Sequence, residues 1–229
     1  MQLSLINIAY LIASALFVIG LKGLGHPRTA VRGNRIGAVG MLIAIVVTLV
    51  DNRVLSYELI LVGIIVGAAL GAILALKIQM TAMPQMVALL NGFGGIASVL
   101  VAGAALIEAG LLPGAPRTQL TVATAASGLI GAVTFWGSLG AFGKLQEILP
   151  GKAVLFPGRN VLNALLGLAA LSCAAWIVTD PKAIWAYWTL VAFSSVLGVL
   201  LVIPIGGADM PVVIALLNSS SGLAATATG

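Results

Sequence analysis

Two asparagines, Asn91 and Asn218, each lie seven residues beyond a proline, Pro84 and Pro211, inside apolar runs. A carboxamide offers two donors and an acceptor and does not titrate, so its chemistry in an apolar setting is to hold water or a neighbour's proton-bearing group. The stretches around them, MPQMVALLNGFGGIA from Met83 and MPVVIALLNSSSGLA from Met210, agree at Met, Pro, Ala, Leu, Leu, Asn, Gly and Ala in identical spacing. At about 1.5 Å per helical residue both amides stand roughly 10 Å beyond their prolines. Two parallel helices therefore present matching amides at one depth. By spacings of three, four and seven, Asn91, Gly94, Gly95 and Ser98 share one helix face, as do Asn218, Ser221 and Gly222. Ser127, Gly131, Thr134 and Ser138 form a third such stripe, so three helices are expected to meet at a polar, close-packed seam. The plainer reading of any single hydroxyl is helix joining, worth about 0.6–2 kcal/mol per bond in lipid. For the repeated asparagine, packing and transport both stay open.

The elements that must position these groups follow from composition. The 229 residues are 61% hydrophobic and 7% charged, with a mean hydropathy of +1.18, outside what a water-soluble fold tolerates. Lipid forbids unpaired backbone, and a spanning helix needs about 20 mostly apolar residues. Eight such segments are predicted, at about 3–21, 36–50, 57–76, 84–107, 120–143, 161–178, 183–203 and 210–229, giving an all-α polytopic transmembrane bundle. The second is short and is expected to extend into its flanks. The first lacks the preceding positive charge and following cleavage pattern of a removable signal peptide, so it is expected to stay as a helix.

The formal charge of +5 is scattered through short connections and forms no basic stripe interleaved with aromatics, so no nucleic-acid partner is expected. It reads as topology. Connections after odd-numbered segments hold Lys22, Arg28, Arg32, Arg35, Lys77, Lys144, Lys152 and Arg159; those after even-numbered ones hold Arg53, Arg117 and Lys182. The first group is expected to face the cytoplasm and the N-terminus the outside. The last segment stops at Gly229 without a loop, aromatic anchor or charge, as if cut before a ninth helix.

Intramembrane ionisable groups mark proton relays, yet Asp51, Glu58, Glu108, Glu147, Asp180 and Asp209 all fall at or near segment ends and His26 sits in the first basic connection. A proton route here needs its titrating side chain from a partner subunit, and it needs a gate. The gate candidate is GGADMP, where Gly206 and Gly207 loosen the backbone and Asp209 suits the start of a helix. Cys173 reads as inert packing. The glycine clusters Gly20, Gly23, Gly25 and Gly92, Gly94, Gly95 lack the strand and acidic residue of a dinucleotide fingerprint, so no cofactor or metal site is expected in this chain.

GADMPVVIALLNSSSGLAA from Gly207, GAVTFWGSLGAFGKLQ from Gly131 and AMPQMVALLN from Ala82 resemble blocks of the β subunit of the proton-translocating NAD(P) transhydrogenase, in order and spacing. The resemblance spans the whole chain and ends inside the family's pattern, which continues with a ninth helix and a cytoplasmic NADP(H)-binding domain. It implies a bacterial inner-membrane complex in which hydride passes from NADH, on a domain of an α subunit, to NADP⁺ on that absent domain, coupled to inward proton flow. It also implies a dimer of αβ units. Asn218 then matches a polar residue lining the proton pathway, and by the helical stripes above Asn91, Ser127, Thr134, Ser138 and Ser221 are the further candidates for that pathway. Asp209 matches an acid that communicates with the NADP(H) domain. Asn91 stands where several family members carry a membrane histidine, a departure that points to an α-subunit helix as the source of the titrating group. The rival readings are a secondary transporter with the asparagines as its solute site, and a passive membrane anchor.

Overall fold

The computed structural model describes residues 2–50, 57–111 and 118–228. Among them the chain is helical, with α1 Gln2–Leu24, α2 Pro27–Val50, α3 Glu58–Lys77, α4 Met83–Leu111, α5 Thr118–Leu145, α6 Arg159–Thr179, α7 Ile184–Val202 and α8 Met210–Thr228, and no strand. The eight predicted segments correspond to these helices one for one. The largest difference is at α2, which begins nine residues before the apolar run starting at Ile36. Pro27 opens it at a position that tolerates a missing N–H, and the Arg-rich turns that follow are good helix formers but invisible to hydropathy. Seven of the helices, α1 to α7, are long and apolar enough to cross a membrane. Asp51, Arg53, Arg117 and Gly229 lie outside the described residues.

Residues 1–76 and 77–229 form two compact units. In the first, α1 and α2 pair as a hairpin. A Cβ on Gly33 would stand 2.6 Å from the Gly20 carbonyl, so the two backbones cross in direct contact. Tyr10 and Thr48 bond through their hydroxyls at 2.8 Å, and α3 has no buried residue.

The second unit is built around α5, which packs against α4, α6, α7 and α8. Its sequence explains that place: small residues at helical spacing leave no ridge to hold neighbours away. Gly95 of α4 and Gly131 of α5 oppose one another, each added Cβ falling 2.6–2.7 Å from the other's carbonyl. Close backbone approach is how membrane helices gain packing energy without a hydrophobic drive between them. On the α7 side Tyr187 is fully buried, its ring against Gly103 and Gly128, and its hydroxyl donates to the Val99 carbonyl at 2.5 Å. The phenol thus fills an apolar gap while its polar tip is satisfied.

Candidate proton pathway

The sequence repeat is also a structural one. A single 3-10 turn, Met80–Ala82, leads into α4, and another, Gly207–Asp209, leads into α8. In each the first helical N–H closes the turn, from Met83 to the Met80 carbonyl and from Met210 to that of Gly207. Both asparagines therefore enter from equivalent starts.

Their surroundings differ. Asn91 is half-buried, and its Nδ2 donates to the Ser138 hydroxyl at 2.9 Å. Ser221 is half-buried and donates to the Thr134 hydroxyl at 3.2 Å, while also reaching the Leu217 carbonyl at 3.0 Å within its own helix. Ser127, Thr134 and Ser138 are all buried on α5. The hydroxyl face of α5 is thus the common partner, taking Asn91 from α4 at one level and Ser221 from α8 one turn away. Gly94 and Gly222, grouped with these stripes by spacing, are exposed.

Asn218 is exposed on the isolated chain. It lines a groove of about 390 Å³ between the starts of α4 and α8, with Pro84, Val87, Pro211, Ile214 and Ala215. A separate cavity of about 310 Å³ lies further along, bounded by Ser98 and Ala102 of α4, Thr124 and Ser127 of α5 and Ala225 of α8. Along α8 the order is Asn218 at the groove, Ser221 on Thr134, then Ala225 at the cavity. Along the helix, the Ser221–Thr134 bond thus falls between the residue at the groove and the residue at the cavity.

At the mouth, Asp209 ends the 3-10 turn with its side chain exposed. Gly206 is extended at φ −68 and ψ 153, and a Cβ on Gly207 would meet Gly151 only at ordinary contact, 3.6 Å.

Sequence reasoning counted Lys144 only as a topological charge, and the structure gives it more. It is 4% exposed, and its Nζ donates to the carbonyls of Ile203 at 2.5 Å, Ile205 at 2.6 Å and Lys152 at 3.3 Å. The available signal was its register: three residues past Ala141 and six past Ser138, it continues the buried face of α5. Among the described residues no group of His, Cys, Asp or Glu has the arrangement of a metal site.

Comparison with known proteins matches residues 6–229 to the family model NAD(P) transhydrogenase beta subunit. Two relatives, each named NAD(P) transhydrogenase subunit beta, come from Rhodospirillum rubrum and from its strain ATCC 11170; each is 43% identical over 234 residues, covering 99% of this chain and 49% of the relative. The chain spans about half the length of these curated relatives. An all-helical membrane bundle, the repeated Met-Pro entry and a match across nearly the full chain agree, and the chain belongs to the NAD(P) transhydrogenase beta subunit family.

Proposed function

We propose that this chain is the membrane proton-translocating part of an NAD(P) transhydrogenase, coupling proton flow into the cytoplasm to hydride transfer from NADH to NADP⁺. The observation that carries the reading is the Ser221–Thr134 bond standing between the Asn218 groove and the Ser127 cavity. Moving a charge across the membrane is worth about 2.3 kcal/mol per 100 mV, and a permanently open water file would dissipate it. A weak bond at Ser221–Thr134, opening to let water join the two spaces and closing again, is what such a gate needs.

Each residue then has a part. Asn218 holds water in the groove, Ser221 and Thr134 close the file, Ser127 continues it, and Asn91 fixes Ser138 without titrating. Asp209, Gly206 and Gly207 connect α8 to an NADP(H)-binding domain that follows in the full-length subunit. The titrating group comes from a membrane helix of an α subunit laid over the open side of the groove. NAD(H) binds that α subunit, the complex is a dimer of αβ units in a bacterial inner membrane, and the N-terminus lies outside. The basic residues Arg28, Arg32 and Lys144 support that orientation.

The test is proton uptake by vesicles carrying the full complex during hydride transfer from NADH to NADP⁺, in wild type, Asn218→Leu and Asp209→Asn. Coupled proton movement is expected to fall at least tenfold in Asn218→Leu and severalfold in Asp209→Asn. Unchanged proton uptake in both variants overturns the assignment.

A further inference from the structure

Burying an ammonium is costly unless its three donors are met. At Lys144 all three acceptors identified are backbone carbonyls, and they come from two segments distant in sequence. Ile203 and Ile205 directly follow the last turn of α7, where unpaired carbonyls and the helix dipole favour a cation. Lys152 lies in the loop after α5. The same two segments bond to each other, Gly207 N–H to the Gly151 carbonyl at 2.8 Å and Val154 N–H to that of Ile203 at 3.3 Å. Gln85 ties the start of α4 to the same place, its Nε2 reaching the Leu145 carbonyl at 3.3 Å. One buried cation therefore fastens the link from α7 to α8 onto the end of the helix that carries Thr134.

We infer that Lys144 is a positioning residue of the coupling path: it fixes the 203–209 link against the end of α5, so that α8 keeps Ser221 in register with Thr134. The clamp stands on geometry alone, and its consequence for coupling rests on the function proposed above. The physical reason is leverage. Only a short link separates Ile205 from the start of α8 at Met210, and a signal arriving at Asp209 reaches Ser221 only if the link has a fixed point to work against.

The experiment compares wild type, Lys144→Met and Lys144→Met carrying Gly151→Cys, Gly207→Cys and Cys173→Ala, all in the full complex in vesicles. Amide hydrogen exchange at residues 205–209 and protons moved per hydride transferred are both measured. In Lys144→Met exchange is expected to rise at least tenfold and the proton-to-hydride ratio to fall at least threefold. Oxidising the cysteine pair refastens the link to the 151 loop without the cation, and within that one variant the oxidised form is expected to show slower exchange and a higher proton-to-hydride ratio than the reduced form, a comparison in which Gly207→Cys is common to both. Unchanged exchange in Lys144→Met overturns the clamp. Raised exchange with an unchanged ratio, or the same ratio in the oxidised and reduced forms, overturns the positioning role. If Lys144→Met does not accumulate, Lys144→Gln, which keeps two donors and loses the charge, is read against the same outcomes. Should wild type itself move no protons, the proposed function fails, while the exchange data still decide the clamp.

Discussion

The two copies of the repeat start from the same turn and carry the same amide, yet α4 stays buried past its asparagine, at Gly92, Gly95 and Val99, while the buried residues of α8, Met210, Ile214 and Leu217, come before its own. The difference lies in the residues after the asparagine. In α4 the run Asn91-Gly-Phe-Gly-Gly puts Gly92 and Gly95 on the face toward α5, and both are buried. In α8 the run Asn218-Ser-Ser-Ser-Gly puts Ser221 there, and the helix is held at that level by a hydroxyl bond of 3.2 Å. Glycine contact fixes a backbone; a hydroxyl pair leaves it adjustable. A duplicated sequence has thus become one fixed wall and one adjustable one, both set against the hydroxyl face of a shared α5.

The sharpest way to break this contrast is to put a side chain on each glycine. A Cβ on Gly95 would lie 2.7 Å from the Gly131 carbonyl and 2.8 Å from the Phe135 nitrogen, both backbone atoms that cannot step aside. Gly95→Val is expected to cost about 3 kcal/mol or more, the upper end for overpacking, measured as a fall in melting temperature in detergent. Gly222 has nothing within 4 Å, and Gly222→Ala is expected to be neutral or to stabilise by up to about 1 kcal/mol through helix propensity. Equal losses at the two sites would remove the distinction between the walls.

How far this was legible in the sequence depends on what each feature answers to. The eight helices were legible because lipid admits few backbone solutions. So was the burial of Ser127, Thr134 and Ser138, because one period of 3.6 residues lays them along a single face. The repeat gave the equivalent entries of the two asparagines, each following the same 3-10 turn, because that turn is set by local sequence. It did not give their exposure, which depends on how closely the next helix approaches, and that was written in the glycines and serines downstream. Lys144 was missed for a related reason: a lysine at a helix end reads as a surface charge, and the carbonyls that bury it come from residues 152, 203 and 205, which no local pattern brings near.

The asparagines themselves sharpen the comparison at the next scale. Asn91→Leu strips the partner from a buried Ser138 and is expected to cost about 1–2 kcal/mol of stability. Asn218→Leu adds an apolar side chain to a groove already lined by apolar residues, and its stability is expected to stay within about 0.5 kcal/mol of wild type. Melting temperatures of the two variants, set beside their proton-coupled turnover, separate the roles. The first is expected to lose stability and keep most of its coupling; the second is expected to show the reverse, with coupling down at least tenfold, about 1.4 kcal/mol. If both variants lose stability alike, Asn218 is joining helices as Asn91 does.

The smallest effect is the most telling about the gate. Ser221 has one proton and two acceptors, the Thr134 hydroxyl at 3.2 Å and its own Leu217 carbonyl at 3.0 Å. Breaking the bond across the helices leaves the Ser221 hydroxyl its intrahelical acceptor, while the buried Thr134 hydroxyl gives up the partner that Ser221 provides. A double-mutant cycle on Thr134→Val and Ser221→Ala is expected to give a coupling energy of about 0.6 kcal/mol, typical of bonds between membrane helices. An energy of that size favours the closed pair only about threefold, so a modest push on α8 is enough to part it. A coupling of more than about 2 kcal/mol would mean a joint too firm to open in each turnover, and α8 would then be a second fixed wall.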